Sequence, residues 1–224
     1  MNNKKNAYIK SLALLIFSLE FIALILQFIR AYSSGHMAVS LLILLIYFTN
    51  QSNILVTIAT LLIYLNIQRK FSDIFIFIAF ANIIITGLIY HIFLARYFEQ
   101  ITFLQHILHT FIPILFTALY LLFIDTKLKI IQGLYALIYP ILYFGFVYII
   151  VHPLLGDLIG RYYPNEPDML YVYPFLNPQH YDNGFLGVLS LILLILVPFF
   201  SLLFMGLLKT KYIIHQQIWQ EKNA

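Results

Sequence analysis

Six long apolar runs dominate this chain, and almost no charge interrupts them. They are Ser11–Ile29, Val39–Leu65, Ile74–Leu94, Ile101–Ile124, Ile130–Val151 and Phe185–Leu208, and Glu20 is the only Asp, Glu, Lys or Arg inside any of them. About 20 apolar residues at a rise of about 1.5 Å cross roughly 30 Å of hydrocarbon. Only helices and closed barrels satisfy their backbone there, and runs of this length are helical. The expected fold is therefore all-α: a single polytopic membrane domain over 1–224, with six transmembrane helices. The composition agrees, at 62% hydrophobic and 10% charged residues with a mean hydropathy of +0.90. A soluble domain carries about a quarter charged residues. With 17% aromatic residues, disorder is excluded as well.

Lys and Arg on short loops set the orientation of such a bundle. Lys4, Lys5, Lys10, Arg69, Lys70, Lys127, Lys129, Lys209, Lys211 and Lys222 fall on one side, and only Arg30, Arg96 and Arg161 on the other. Both termini are expected in the cytoplasm, and an even number of spans agrees in placing them on one side. The first run exceeds the apolar core of a signal peptide and reads as a span. The net charge of +4 belongs to the flanks of the spans and gives no reason to expect nucleic acid as a partner. With no cysteine in the sequence, disulfides, thiolate metal sites and cysteine nucleophiles are excluded. Residues 152–183, external on this topology and rich in proline, are expected to fold over the bundle as an aromatic lid containing Tyr173 and Phe175, or to dip into the membrane interface.

Polar groups in hydrocarbon are costly and mark function by default. Glu20 lies in the first span, Thr49-Asn50-Gln51-Ser52-Asn53 in the second, His91 near the end of the third, and Gln105, His106 and His109 in the fourth. All lie in the external half, at depths of roughly 5 to 20 Å. His91 reads as an interfacial anchor. Thr49 and Asn53 share a face at i, i+4, and His106 and His109 at i, i+3. Several chemistries fit. The histidines could bind a metal with Glu20 or His91, although no stringent ligand spacing is present. A proton relay would have no path through the cytoplasmic half. A hydroxyl nucleophile with a histidine base needs only Thr49 or Ser52 beside His109 or His106, with Asn50, Asn53 or Gln105 as oxyanion donors. A non-catalytic lipid binder or transporter would use the same pocket. Nothing in the nucleophilic scheme calls for a metal or cofactor.

Phe48-Thr49 with Asn50-Gln51-Ser52-Asn53, Gln105-His106-Ile107-Leu108-His109-Thr110 followed by Pro113, and Val172-Tyr173-Pro174-Phe175-Leu176 together resemble three motifs of one family. It is the androgen-induced and androgen-dependent TFPI-regulating protein family, with its bacterial integral-membrane relatives. The resemblance implies an intramembrane threonine hydrolase acting on lipid esters such as fatty acid esters of hydroxy fatty acids. Carried over to this chain, the nucleophile is Thr49 and the essential histidine His109, with the protein in a bacterial inner membrane. Glu20, Asn50, Asn53, Gln105, His106, Tyr173 and Phe175 are expected to bind substrate or support the pair.

Overall fold

The computed structural model describes residues 3–67, 70–97, 100–125 and 128–217. Of the charges that set the expected topology, Arg69, Lys127 and Lys222 lie outside these residues. The described chain is helical, without strands. Among the described residues, five helices are long and apolar enough to cross a membrane: Lys5–Ser33, Phe71–Leu94, Phe103–Phe123, Ile130–Tyr162 and Phe185–His215. A bent pair makes a sixth crossing if it counts as one span.

In chain order, α1 is Asn3–Ser33, α2 Met37–Ile46, α3 Phe48–Tyr64 and α4 Lys70–Ile89. Next come α5, Phe103–His106, and α6, Ile112–Phe123. A 3₁₀ segment, Ile130–Leu137, leads into α7, Ile138–Phe146. The chain ends with α8, Gly156–Tyr162, α9, Phe185–Ser190, and α10, Val197–His215. Helix α1 packs along α3 and α6, α4 along α3 and α6, and α10 along the Ile130–Leu137 segment. The core between α4, α6 and α10 is aromatic. Phe80 stacks on Tyr120 at 4.2 Å, and Phe77 and Phe204 close around them. Helix α10 comes so close to Ile130–Leu137 that a Cβ on Gly133 would lie 2.8 Å from the Met205 amide nitrogen.

The run read as one helix over 39–65 is broken. Tyr47 adopts φ −70°, ψ 128°, and the axes of α2 and α3 meet at 79°. The break is stable because its freed carbonyls are satisfied. Asn50 Nδ2 donates to Leu44 O and Gln51 Nε2 to Leu45 O, each at 2.8 Å, and the Tyr143 hydroxyl donates to Ile46 O at 2.9 Å. Without such donors, an interrupted helix in hydrocarbon would cost several kcal/mol per orphaned group.

Four π-turns widen the remaining spans: Tyr90–Leu94, Ile107–Phe111, Val147–Leu155 and Leu191–Leu196. Three lie beside prolines. Pro113 offers no N–H to the His109 carbonyl four residues earlier, and Pro153 and Pro198 interrupt the ladder likewise. The π geometry accommodates Pro153, so the helix expected to end at Val151 runs on to Tyr162.

The segment after α8 folds back onto the bundle through three 3₁₀ turns, each begun by proline: Pro167–Tyr171, Pro174–Leu176 and Pro178–His180. Val172, Tyr173 and Leu176 are buried. Asp168 ties the segment together, accepting from Asn177 Nδ2 at 2.7 Å and contacting His180 Nε2 at 2.6 Å. The Tyr148 hydroxyl pins it to the bundle through the Leu176 carbonyl. Val172 has φ +68°, a strained conformation for a β-branched residue. Its neighbour Tyr173 enters the bundle from this point.

Candidate functional site

The break at Tyr47 exposes the amino end of α3 inside the protein, and Thr49 occupies its first turn. The first N–H groups of a helix lack intrahelical partners and carry partial positive charge. Here the Thr49 N–H donates to the Tyr173 hydroxyl at 3.4 Å, and the Phe48 amide and the Thr49 side chain also meet that hydroxyl. Burial pushes the Tyr173 hydroxyl above its ordinary pKa, so it remains a neutral phenol. Asn53 Nδ2 donates to the Thr49 carbonyl at 2.8 Å, fixing the turn that carries Thr49.

Two cavities meet at this point. One, of about 190 Å³, is apolar and runs between α4, α7 and α9–α10, past Phe144, Phe175, Ile192 and Phe200. The other, of about 620 Å³, is the more polar of the two, with Asn50, Tyr90, Gln105 and His109 in a wall that also holds many apolar side chains; it is called the polar cavity below. Thr49, Leu94 and Tyr173 line both.

His109 is half-buried on the π-turn before Pro113, stacked 3.9 Å from the Tyr90 ring. Its Nδ1 lies 2.9 Å from the Gln105 carbonyl. A carbonyl only accepts, so Nδ1 carries the proton, and in a neutral ring Nε2 presents its lone pair. That is the tautomer of a general base. No hydrogen bond joins Thr49 to His109 among the described residues; they face one cavity from α3 and from the turn before α6.

The other expected site residues divide. Asn50 and Gln105 line the polar cavity, but their hydrogen bonds are structural. Asn50 caps α2, and Gln105 Oε1 accepts from the Thr102 N–H at 2.7 Å in a capping box that starts α5. Phe175 lines the apolar cavity and stacks on Tyr173 at 5.4 Å. Glu20 is fully buried in α1, lines neither cavity, and has no hydrogen-bond partner on either oxygen among the described residues. His106 also lies outside both cavities, near Phe111. The i, i+3 spacing that aligns two side chains in an α-helix does not align them across the wider turn of Ile107–Phe111. His91 bonds Thr110 Oγ1 at 3.0 Å, tying the end of α4 to the span carrying His109.

Sequence reading missed Gln27, Arg30, Tyr47, Tyr90 and Glu166, which all line the polar cavity. Gln27 carried a usable signal: it stands seven residues after Glu20, on the same helical face. The cavity offers no cluster of three metal-ligating side chains among the described residues. No protein-family model, curated protein or solved structure matches this chain.

Proposed function

We propose that this protein is an intramembrane threonine hydrolase of lipid esters in a bacterial inner membrane. Both termini then face the cytoplasm and the polar cavity lies toward the external leaflet. The observation that carries the reading is the position of Thr49: a hydroxyl at a helix amino terminus, where an apolar cavity meets a polar one containing a histidine. An ester is amphipathic in the same way, with an acyl chain on one side of its carbonyl and an alcohol on the other. Thr49 Oγ1 would attack the carbonyl carbon while His109 Nε2 takes the hydroxyl proton. The same proton returns to the departing alkoxide, leaving an acyl-threonine. Water, deprotonated by His109, then releases the acid. Negative charge developing on the carbonyl oxygen is stabilised by the amino end of α3.

A non-enzymatic lipid binder or transporter would also use two joined cavities, and labelling separates the alternatives. A fluorophosphonate applied to the purified protein should modify Thr49, as read by peptide mass spectrometry, and Thr49→Ala should take up none. A wild-type protein that remains unlabelled while it binds lipid would replace hydrolysis with binding.

A further inference from the structure

Two exposed residues of opposite charge that hydrolysis does not use line the polar cavity. Arg30, at the end of α1, and Glu166, before the Pro167–Tyr171 turn, line it together. Yet neither forms an ion pair; those among the described residues are Lys5–Asp125, His180–Asp168 and His215–Asp125. Two opposite charges around one cavity, held apart, match a ligand that carries both signs.

The surroundings of each charge differ in kind. One turn before Arg30, Gln27 is only 7% exposed, lines the same cavity, and has no hydrogen-bond partner for its Nε2 among the described residues. A buried amide N–H without an acceptor is a standing cost, which a ligand oxygen would remove once the Gln27 side chain turns toward the cavity. A guanidinium beside an amide donor suits a phosphate. Around Glu166 the cavity wall is aromatic, with Tyr47 and Tyr163. A carboxylate among aromatic rings suits an ammonium group.

We infer that the polar cavity binds a zwitterionic phosphodiester head group, with its phosphate toward Arg30 and Gln27 and its ammonium toward Glu166, Tyr47 and Tyr163. A volume of about 620 Å³ lies within the range of sites that enclose small ligands. The apolar cavity that shares Thr49 and Tyr173 takes an acyl chain. Resting on the hydrolase reading, this makes the substrate a zwitterionic phospholipid. The bond broken joins the acyl carbon to the head-group-bearing alcohol. The alcohol leaves with the proton held by His109, and water completes the carboxylic acid.

The test uses the full chain in a neutral maltoside detergent, with Thr49→Ala as the background so that binding is read without turnover. Calorimetry compares dihexanoyl phosphatidylcholine, dihexanoyl phosphatidic acid, dihexanoylglycerol and free glycerophosphocholine, the lipids below their micellar concentrations. Phosphatidylcholine should bind most tightly. Arg30→Gln and Gln27→Leu should weaken both phospholipids, Arg30→Gln by about tenfold. Glu166→Gln should weaken phosphatidylcholine alone, by about fivefold. All three variants should keep the parent circular dichroism spectrum. Equal affinity for the neutral diacylglycerol, or indifference to Arg30→Gln and Glu166→Gln, would overturn the head-group site. A preference for phosphatidic acid would overturn its ammonium half, and equal affinity for glycerophosphocholine would overturn its lipid source. Wild-type protein that binds phosphatidylcholine without cleaving any ester would leave this site standing and remove the hydrolase reading. Cleavage of neutral and zwitterionic esters at equal rates, with equal affinities, would do the reverse.

Discussion

Tyr143→Phe isolates the device that creates the site. The substitution deletes one oxygen and keeps the ring, which packs edge-on against Phe48 at 5.1 Å. What it removes is the 2.9 Å hydrogen bond to Ile46 O, buried on both sides, together with the contacts of the same hydroxyl with the Tyr173 hydroxyl and the Phe48 amide. The carbonyl at the end of α2 then has no donor, because the chain turns through 79° immediately after it. Orphaning a buried acceptor costs about 1–3 kcal/mol. Hydrogen bonds between membrane helices average only about 0.6 kcal/mol, with a maximum near 1.7, because the unfolded chain in lipid finds other partners. The Ile46 carbonyl belongs near the top of that range, since the break deprives it of a backbone partner. The expected loss is about 1.5 kcal/mol, or a fall in Tm of about 3–6 °C at the usual 2–4 °C per kcal/mol for a domain of this size. Tyr139→Phe is the control. Its hydroxyl bonds Gln51 Oε1 at 2.8 Å, but the Gln51 bond to Leu45 O survives its loss, so it should cost clearly less. Equilibrium unfolding in dodecyl sulfate, followed by circular dichroism, measures both. Tyr143→Phe within about 0.3 kcal/mol of wild type, or Tyr139→Phe costing as much, would refute the claim that these side chains hold the break open.

Thr49→Ala and His109→Ala should each abolish release of fatty acid from a lipid ester in micelles, and the double variant should lose little more than either, as groups acting in one step do; undiminished turnover by Thr49→Ala would remove threonine catalysis. A reporter fused after Ala224 should be cytoplasmic and one inserted near Asn165 external, as the ten-to-three division of basic residues requires; an external carboxy-terminal reporter would reverse the orientation. Gly133→Ala should lower thermal stability sharply, because its Cβ would press on the backbone of Met205 at 2.8–3.0 Å, where no side-chain rotation relieves it; an unchanged melting curve would show that the helices can separate freely. His215 faces two acceptors, Asp125 Oδ1 at 2.7 Å and Leu121 O at 3.1 Å, so His215→Ala and Asp125→Asn should each destabilise by about 1 kcal/mol or less and together by less than their sum. Strict additivity would separate the two residues.

The length of the uncharged apolar runs makes the long helices legible in the sequence, and charge placement supplies an orientation to test. The interruption at Tyr47 was hidden because Tyr and Phe continue an apolar run as well as Leu does; nothing local at 46–48 breaks a helix. Its signal lies three residues later, in side chains that look catalytic. Asn50 and Gln51 are amides at catalytic depth, and the same property that makes an amide an oxyanion donor makes it a cap for a severed helix. The bonds to Leu44 O and Leu45 O fill those donor positions in the structure. Thr49 carries no such duty, and it stands at the junction of the cavities because its two neighbours hold the break open. His106 and His109 teach a similar lesson. Their spacing is read on an α-helix, but Pro113 leaves the His109 carbonyl without its usual donor and the turn widens, so one ring enters the cavity and the other does not. Polar residues in such a chain thus divide between keeping an irregular backbone in hydrocarbon and using the space it opens. Only their hydrogen-bond partners tell which is which.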